Sequence, residues 1–353
     1  MIDNNTVPEL QTAQPNARNS KNRWLTWLMG LIGPILFVWI LTRVDLSQIW
    51  EEIRHVNLFW LAGFVIMIVP LIMARAWRLR LVLDSFGLHL TNPQALLIRW
   101  VGTAAGDLLP ARVGELVSVA YLHRIGYGLG DPTLALVLDR LFDMFWMAIW
   151  SIGGLIFVGG TLRQNFGSVE WLLGLFMLGM VFAIIGLVVL RKRPAGIMSI
   201  LKKLVPQRWQ ASFITVLRGS HERSFTFKPA QIALIMAVSL LSVIFLVLRV
   251  YMLAFALDLD ISLSFLAACL GIATLVQLIP ISNMFGIGTR DVTMVYLFGL
   301  GGVPAEQALS FSLLILASVI FQDLIGLLLW WRYPVGTSFM HKPVVPAEDI
   351  NSI

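Results

Sequence analysis

Hydrophobic positions in this chain gather into runs of about twenty residues, the length a helix needs to cross the hydrocarbon core of a bilayer. Such runs cover residues 24–42, 57–74, 133–160, 171–190, 229–256 and 305–331, and they predict six full transmembrane helices. The first, "WLTWLMGLIGPILFVWILT", holds nineteen uncharged residues after Arg18, Lys21 and Arg23. It is longer than a signal-peptide core and no small-residue cleavage site follows it, so it is expected to stay as a span. Residues 1–20 are polar and aperiodic and read as a disordered tail.

Two regions break the pattern. In "GDLLPARVGELVSVAYL", Gly106 to Leu122, the residues Asp107, Pro110, Arg112, Gly114 and Glu115 fall within ten positions of an otherwise apolar segment, 93–124. From Ile261 to Thr289 the chain has twenty-nine uncharged residues, interrupted by Pro280, Gly286 and Gly288 and followed by Arg290 and Asp291. Proline removes a backbone donor and clashes with the preceding turn, and the glycines that follow permit the backbone to turn back. Backbone that leaves the helix at membrane depth must be buried in protein or line a wet cavity. Both regions are therefore expected to be re-entrant helical hairpins, 93–124 and 263–301.

Composition agrees with a bilayer. Hydrophobic residues make up 58% of the 353 positions and charged residues 13%, where a soluble domain carries about a quarter charged. Mean hydropathy is +0.81. No polar stretch is long enough for a soluble domain. The net charge of +6 sits beside the hydrophobic spans, as the positive-inside bias produces, and does not point to nucleic acid. Cys269 is the single cysteine and the five histidines are scattered, which gives no disulfide framework or metal-ligand spacing.

Charge also sets orientation. Positive residues cluster before the first span, after the second (Arg75, Arg78, Arg80) and in the loop 191–228. Acids lean toward the segments between: Asp45, Glu51 and Glu52, then Glu170, then Asp258 and Asp260. By the positive-inside rule both termini are cytoplasmic in a cell (inner) membrane. The three arginines after the second span are expected mainly to snorkel at the interface. Residues 44–56 alternate apolar and charged positions at helical spacing and suggest a short surface helix.

The two interrupted regions also resemble each other. "LLP" ending at Pro110 matches "LIP" ending at Pro280, Tyr121 matches Tyr296, Arg75 matches Arg249, and "GLHL" from Gly87 parallels "DLDI" from Asp258. After each region a long helix carries acids, Asp139 and Asp143 in the first half and Asp323 in the second. The halves, about 57–160 and 229–331, would run in opposite directions, and an inverted repeat with paired broken segments points to a transport site near the midplane.

Charges near the bilayer centre cost about 2.5–3.5 kcal/mol each on insertion scales, so Asp107, Arg112 and Glu115 are expected to pair with each other or with a substrate. Arg112 and Arg290 carry a planar fork suited to phosphate, with Glu115 and Asp291 holding them. Asp139, Arg140 and Asp143 share a helix, with Arg140 able to reach Asp143. No Ser/His/Asp arrangement, nucleotide loop or metal cluster appears, so no enzyme activity and no cofactor is expected. The paired carboxylates Asp139 and Asp143 leave a membrane-embedded lipid-modifying enzyme as the alternative.

In this order, "RAWRLRLVL", "LLPARVGELVSVAYL", "LDRLFD" and "LIPISNMFGIGTRDVTMVYL…GVPAEQAL" resemble the lysylphosphatidylglycerol synthase transmembrane-region family, whose members are also described as flippase-like domains. The resemblance covers roughly residues 20–335 and implies a flippase-like transmembrane domain over 21–335, with a tail from 336 to 353. It implies movement of an anionic phospholipid or a lipid-linked glycan between leaflets. Members also occur beside polyprenyl-glycan and hopanoid pathways, so an accessory subunit presenting a lipid to a partner transferase is a second implication, and a homo-oligomer a third. In bifunctional members an aminoacyl-transferase domain follows; this chain resembles a stand-alone member and is expected not to make lysyl-lipid. By match to the motifs, Pro110, Arg112, Gly114, Glu115, Asp139, Arg140, Pro280, Gly286, Gly288 and Arg290 carry over as substrate-site residues. Asn283, Met284 and Asp291 depart from the usual pattern, which leaves the lipid open.

The topology is testable by labelling. With Cys269 replaced, single cysteines at Ser20, Ser168 and Ser338 should react with an impermeant thiol reagent from outside only at position 168. Outside reaction at position 338 would make the second interrupted region a true span.

Overall fold

A computed structural model describes residues 46–108, 114–166, 228–276 and 289–335, and the regular structure among them is helical. A short helix α1 (Leu46–Arg54) leads into α2 (Leu58–Ile66) and α3 (Ile68–Ser85). The pair α4 (Asn92–Leu108) and α5 (Leu116–Arg124) follows, then the long α6 (Gly130–Phe166). The second half repeats the order with α7 (Pro229–Ala256), the pair α8 (Leu263–Val276) and α9 (Thr289–Leu300), and α10 (Ala305–Arg332).

Local chemistry sets these ends. Asn57 accepts from the Phe59 N–H and Ser262 from the Phe265 N–H, capping α2 and α8. Pro229 opens α7, where its missing donor costs nothing. The stop of α3 is Gly87 at φ 68°, and the stop of α7 is Asp258 at φ 52°. In each the next N–H closes back on the last turn, Leu88 to the Leu83 carbonyl and Leu259 to the Ala254 carbonyl, both at 3.0 Å. These left-handed stops are the two positions that the sequence comparison aligned.

Three helical stretches among the described residues are long and apolar enough to cross a membrane: Leu58–Ser85, Pro229–Ala256 and Ala305–Arg332, each 28 residues. The last two match the runs at 229–256 and 305–331. The run at 57–74 needs correction. Its helix, interrupted at Met67 three residues before Pro70, continues to Ser85, because no further glycine or proline follows until Gly87. Arg75, Arg78 and Arg80 thus lie inside a helix rather than in the loop beyond it. The run at 133–160 falls within α6, and the short helix expected over 44–56 is α1. The runs at 24–42 and 171–190, both tails and most of the basic loop lie outside the described residues. At 9 residues α5 is too short to cross a bilayer by itself.

Helices α3 and α7 lie antiparallel. The Asn57 N–H bonds the Ala256 carbonyl at 2.9 Å, and Arg249 reaches the Phe64 carbonyl. Two apolar cores form, one around Leu79, Leu83, Ile98, Tyr121 and Phe142 that also takes Ile235, the other around Leu253, Leu266, Phe298 and Phe311 that also takes Phe64. The halves then interlock, for α4 packs on α10 and α8 on α6. Both contacts are close backbone approaches permitted by a glycine. A Cβ at Gly154 would stand 2.7 Å from the Ala268 carbonyl oxygen, and one at Gly326 would stand 3.0 Å from the Trp100 carbonyl oxygen. A tryptophan donor closes each contact, Trp150 to the Ala267 carbonyl at 2.9 Å and Trp100 to the Gln322 carbonyl at 3.0 Å. Outward-facing Leu58, Phe59, Ile66, Phe321, Leu324 and Leu328 leave the outer faces of these helices apolar.

Adjacent glycines of α6 supply a test. Gly153 meets nothing within 4 Å, so Gly153→Ala should be neutral or gain up to about 1 kcal/mol from helix propensity. Gly154→Ala should cost about 1–3 kcal/mol through overpacking against α8. Thermal unfolding of the two purified variants reads the difference.

Candidate functional site

Burial forces the charged residues of the first half to meet. Arg78 on α3 has no exposed surface, and a guanidinium in an apolar bundle persists only with its donors satisfied. Its Nε and Nη2 donate to the two oxygens of Asp139, at 2.7 and 3.2 Å, and its Nη1 donates to Asp143 at 2.8 Å. Asp139 and Asp143 are one helical turn apart on α6 and share a face, so one planar fork holds both. Arg99, from the middle of α4, adds a bond from Nη1 to Asp139 at 2.9 Å.

The network reaches a less buried edge at Arg140. This residue bonds Asp143 at 3.2 Å and pairs through both Nε and Nη2 with Glu115, which stands in the turn before α5. The side chains of Arg140 and Glu115 are 22% and 23% exposed, against 1% for Arg78 and Asp139. These bonds link Arg78, Arg99 and Arg140 to Asp139, Asp143 and Glu115 in a network sealed at one end and accessible at the other. Gly114 lets this turn lie against α4, since a Cβ there would overlap the Ala105 carbonyl.

Two further polar groups sit toward the second half. Arg249 on α7 donates to the Phe64 carbonyl at 3.3 Å and to Ser318 Oγ at 2.7 Å, and it stacks 4.7 Å over the Phe64 ring. Arg75 lies near enough to act electrostatically on both Asp143 and Arg249. On α9, Arg290 donates to Asp291 Oδ1 through Nη2 at 2.9 Å, and the Ser312 hydroxyl of α10 bonds the same carboxylate. Asp323 is buried on α10.

The structure thus gathers Glu115, Asp139, Arg140 and Asp143 in one network and pairs Arg290 with Asp291. Asp107 is half-buried at the end of α4. Pro110, Arg112, Pro280, Asn283, Gly286 and Gly288 lie outside the described residues. Sequence reading paired Glu115 with Arg112, which lies outside the described residues; among those described, Glu115 bonds Arg140. Arg78 was read as a snorkelling interface residue and is the most buried member of the network. Arg99 was missed, although a lone arginine inside "ALLIRWVG" is itself a signal, since an isolated intramembrane charge must have a partner. Asp139 and Asp143 are filled by guanidinium donors, and among the described residues no group of three or more His, Cys, Asp or Glu is placed to hold a metal ion.

A bundle of long apolar helices with a charge network sealed inside it defines an integral membrane protein. The chain belongs to the lysylphosphatidylglycerol synthase TM region family, whose model matches residues 27–326. A comparison with curated proteins returns no match.

Removing one partner of a buried pair costs more than removing both. Arg78→Met alone should lose about 3–5 kcal/mol of stability. Arg78→Met with Asp143→Leu leaves Asp139 to Arg99 and Glu115 to Arg140, and should regain much of the loss. Thermal unfolding should rank wild type above the double variant and the double above the single. A single variant at least as stable as the double would show that the pair does not hold the bundle.

Proposed function

We propose that this protein moves an anionic lipid, a phospholipid or a polyprenyl-phosphate-linked glycan, between the leaflets of the cell membrane. One observation carries the reading. The buried network ends in an Arg140–Glu115 pair that is partly accessible and stands at the start of α5. A lipid phosphate is chemically equivalent to the Glu115 carboxylate as a partner for the Arg140 fork. An arriving headgroup exchanges with Glu115, and Glu115 takes Arg140 back when the headgroup leaves. On this reading Arg112, and Arg290 oriented by Asp291 at the start of α9, also serve the headgroup. The first turns of α5 and α9 add N–H groups and partial positive charge.

The rest of the reading is an inverted repeat of six spans and two re-entrant hairpins, α4–α5 and α8–α9, with both termini cytoplasmic. It is supported by the antiparallel α3 and α7, by the matched left-handed stops at Gly87 and Asp258, and by the reciprocal packing of α4 on α10 and α8 on α6. Gly154 and Gly326, which permit those contacts, stand 172 positions apart, close to the offset of the sequence repeat. Such a repeat supplies one site with access from alternate sides. The reading assigns transport rather than chemistry, because Asp139 and Asp143 are both engaged by Arg78 and leave no acid–base pair.

Purified protein in liposomes carrying head-labelled anionic and polyprenyl-phosphate lipids tests this, with leaflet exchange read by an impermeant quencher and lipid masses read in parallel. Exchange without a mass change is expected. Arg140→Lys, and separately Arg112→Lys with Arg290→Lys, lose charge-assisted fork bonds worth about 1.5–3 kcal/mol, and should slow exchange roughly ten- to a hundredfold. Full activity in these variants overturns the site, a changed mass overturns transport, and neither exchange nor chemistry assigns an accessory role.

A further inference from the structure

A groove of about 780 Å³ runs between α3, the start of α4 and α7, within the ~300–1,000 Å³ range of small-ligand sites. We propose that it binds the acyl chain of an anionic phospholipid whose phosphate is held by Arg80. Its walls are apolar, with Met73, Trp77, Leu96, Leu241 and Phe245 among them. Met73, Trp77 and Arg80 follow each other at helical spacing along one face of α3, while Arg78 points to the buried network from another. Met73 is 54% and Trp77 45% exposed, so no described element covers this wall.

Charge makes the groove specific. Arg80 is its one charged lining residue and stands with Asn92 at its end. The Arg80 Nη1 bonds Asn92 Oδ1. Its Nε is buried yet makes no hydrogen bond, the Asp84 carboxylate standing 3.7 Å away. A buried donor without an acceptor is costly, and a phosphate oxygen at the mouth of the groove supplies one. The occupant is thus a lipid with a chain for the walls and an anion for Arg80.

A second groove supplies the contrast. It measures about 580 Å³, lies between α6, α7 and α8, and is lined by Leu263, Ser264 and Ala267 at the start of α8. These positions correspond to Asn92, Pro93 and Leu96 at the start of α4 by the offset of 263 − 92 = 171. The two grooves flank the same stretch of α7, the first through Leu241 and Phe245 and the second through Ile244, Val247 and Leu248. No charged residue lines the second, so it takes a chain without selecting the headgroup. As an access site for a transported lipid the first groove rests on the function proposed above; as a binding site it stands on its own lining.

The test uses the full chain in nanodiscs with trace phosphatidylglycerol bearing a diazirine in its acyl chain, against uncharged diacylglycerol with the same chain, and maps labelled peptides by mass spectrometry. Phosphatidylglycerol should label residues 70–80 and 92–96 about tenfold more than diacylglycerol, the ratio that one charge-assisted contact gives. Residues 263–268 should take both equally. Arg80→Gln should remove the preference, and Leu96→Trp, which fills the groove, should reduce labelling by both probes. Equal labelling of the first groove by the two lipids, or a preference that survives Arg80→Gln, overturns the proposal. So does absence of labelling, the result if residues 24–42 or a second copy of the chain fills the groove. Labelling as expected without leaflet exchange supports this site and sinks transport; exchange without labelling does the reverse.

Discussion

One guanidinium organises the first half of this protein. Arg78 must be paired because it is fully buried, and its geometry lets it hold two carboxylates from adjacent turns of α6 at once. A fork that is satisfied on both edges is directional, so it sets the rotation of α3 against α6 as well as their distance. Arg99 then ties α4 to the same carboxylate, and Arg140 carries the chain of bonds out to Glu115. Nonpolar packing in lipid discriminates little between helix faces, since the outside is as apolar as the inside. The network supplies the discrimination that packing lacks.

The second half solves the same problem with fewer charges. Arg249 has a hydroxyl, a carbonyl and an aromatic face instead of carboxylates, and Arg290 and Asp291 neutralise each other next to Ser312. Small residues and indole donors join the two halves, with Arg249 on Phe64 as a further contact. Gly154 and Gly326 bring helix backbones into contact, and Trp150 and Trp100 each donate to a carbonyl across the contact. Close backbone approach of this kind gains dispersion contacts that bulky side chains would prevent. The first half is thus held by ion pairs, and the seam between halves by close backbone contact and indole donors.

The proposed function rests on that division. A site for an anionic headgroup inside a bilayer needs arginine kept charged and oriented in the absence of ligand, and a carboxylate partner does this without closing the site permanently. The sealed part of the network, around Arg78, is structural in character. On the proposed reading the edge around Arg140 and Glu115, partly accessible at the start of α5, is where one anion exchanges for another.

The sequence alone determined the apolar runs, the family, and the places where helices break, because each depends on composition or on residues close together in the chain. The correspondence of Gly87 with Asp258 and the short helix at 46–54 were legible for the same reason, but not that both positions are left-handed helix stops. The partners of the charges were not. Arg78 lies 61 residues from Asp139 and Arg99 lies 40 from it, and nothing local distinguishes an arginine that snorkels from one that is buried. Nor does run length show that the helix begun at Leu58 continues through three arginines to Ser85, since the cost of those charges depends on what faces them. Only the tertiary structure, by bringing α3, α4 and α6 together in a medium that cannot solvate an unpaired ion, decided which residues form the site.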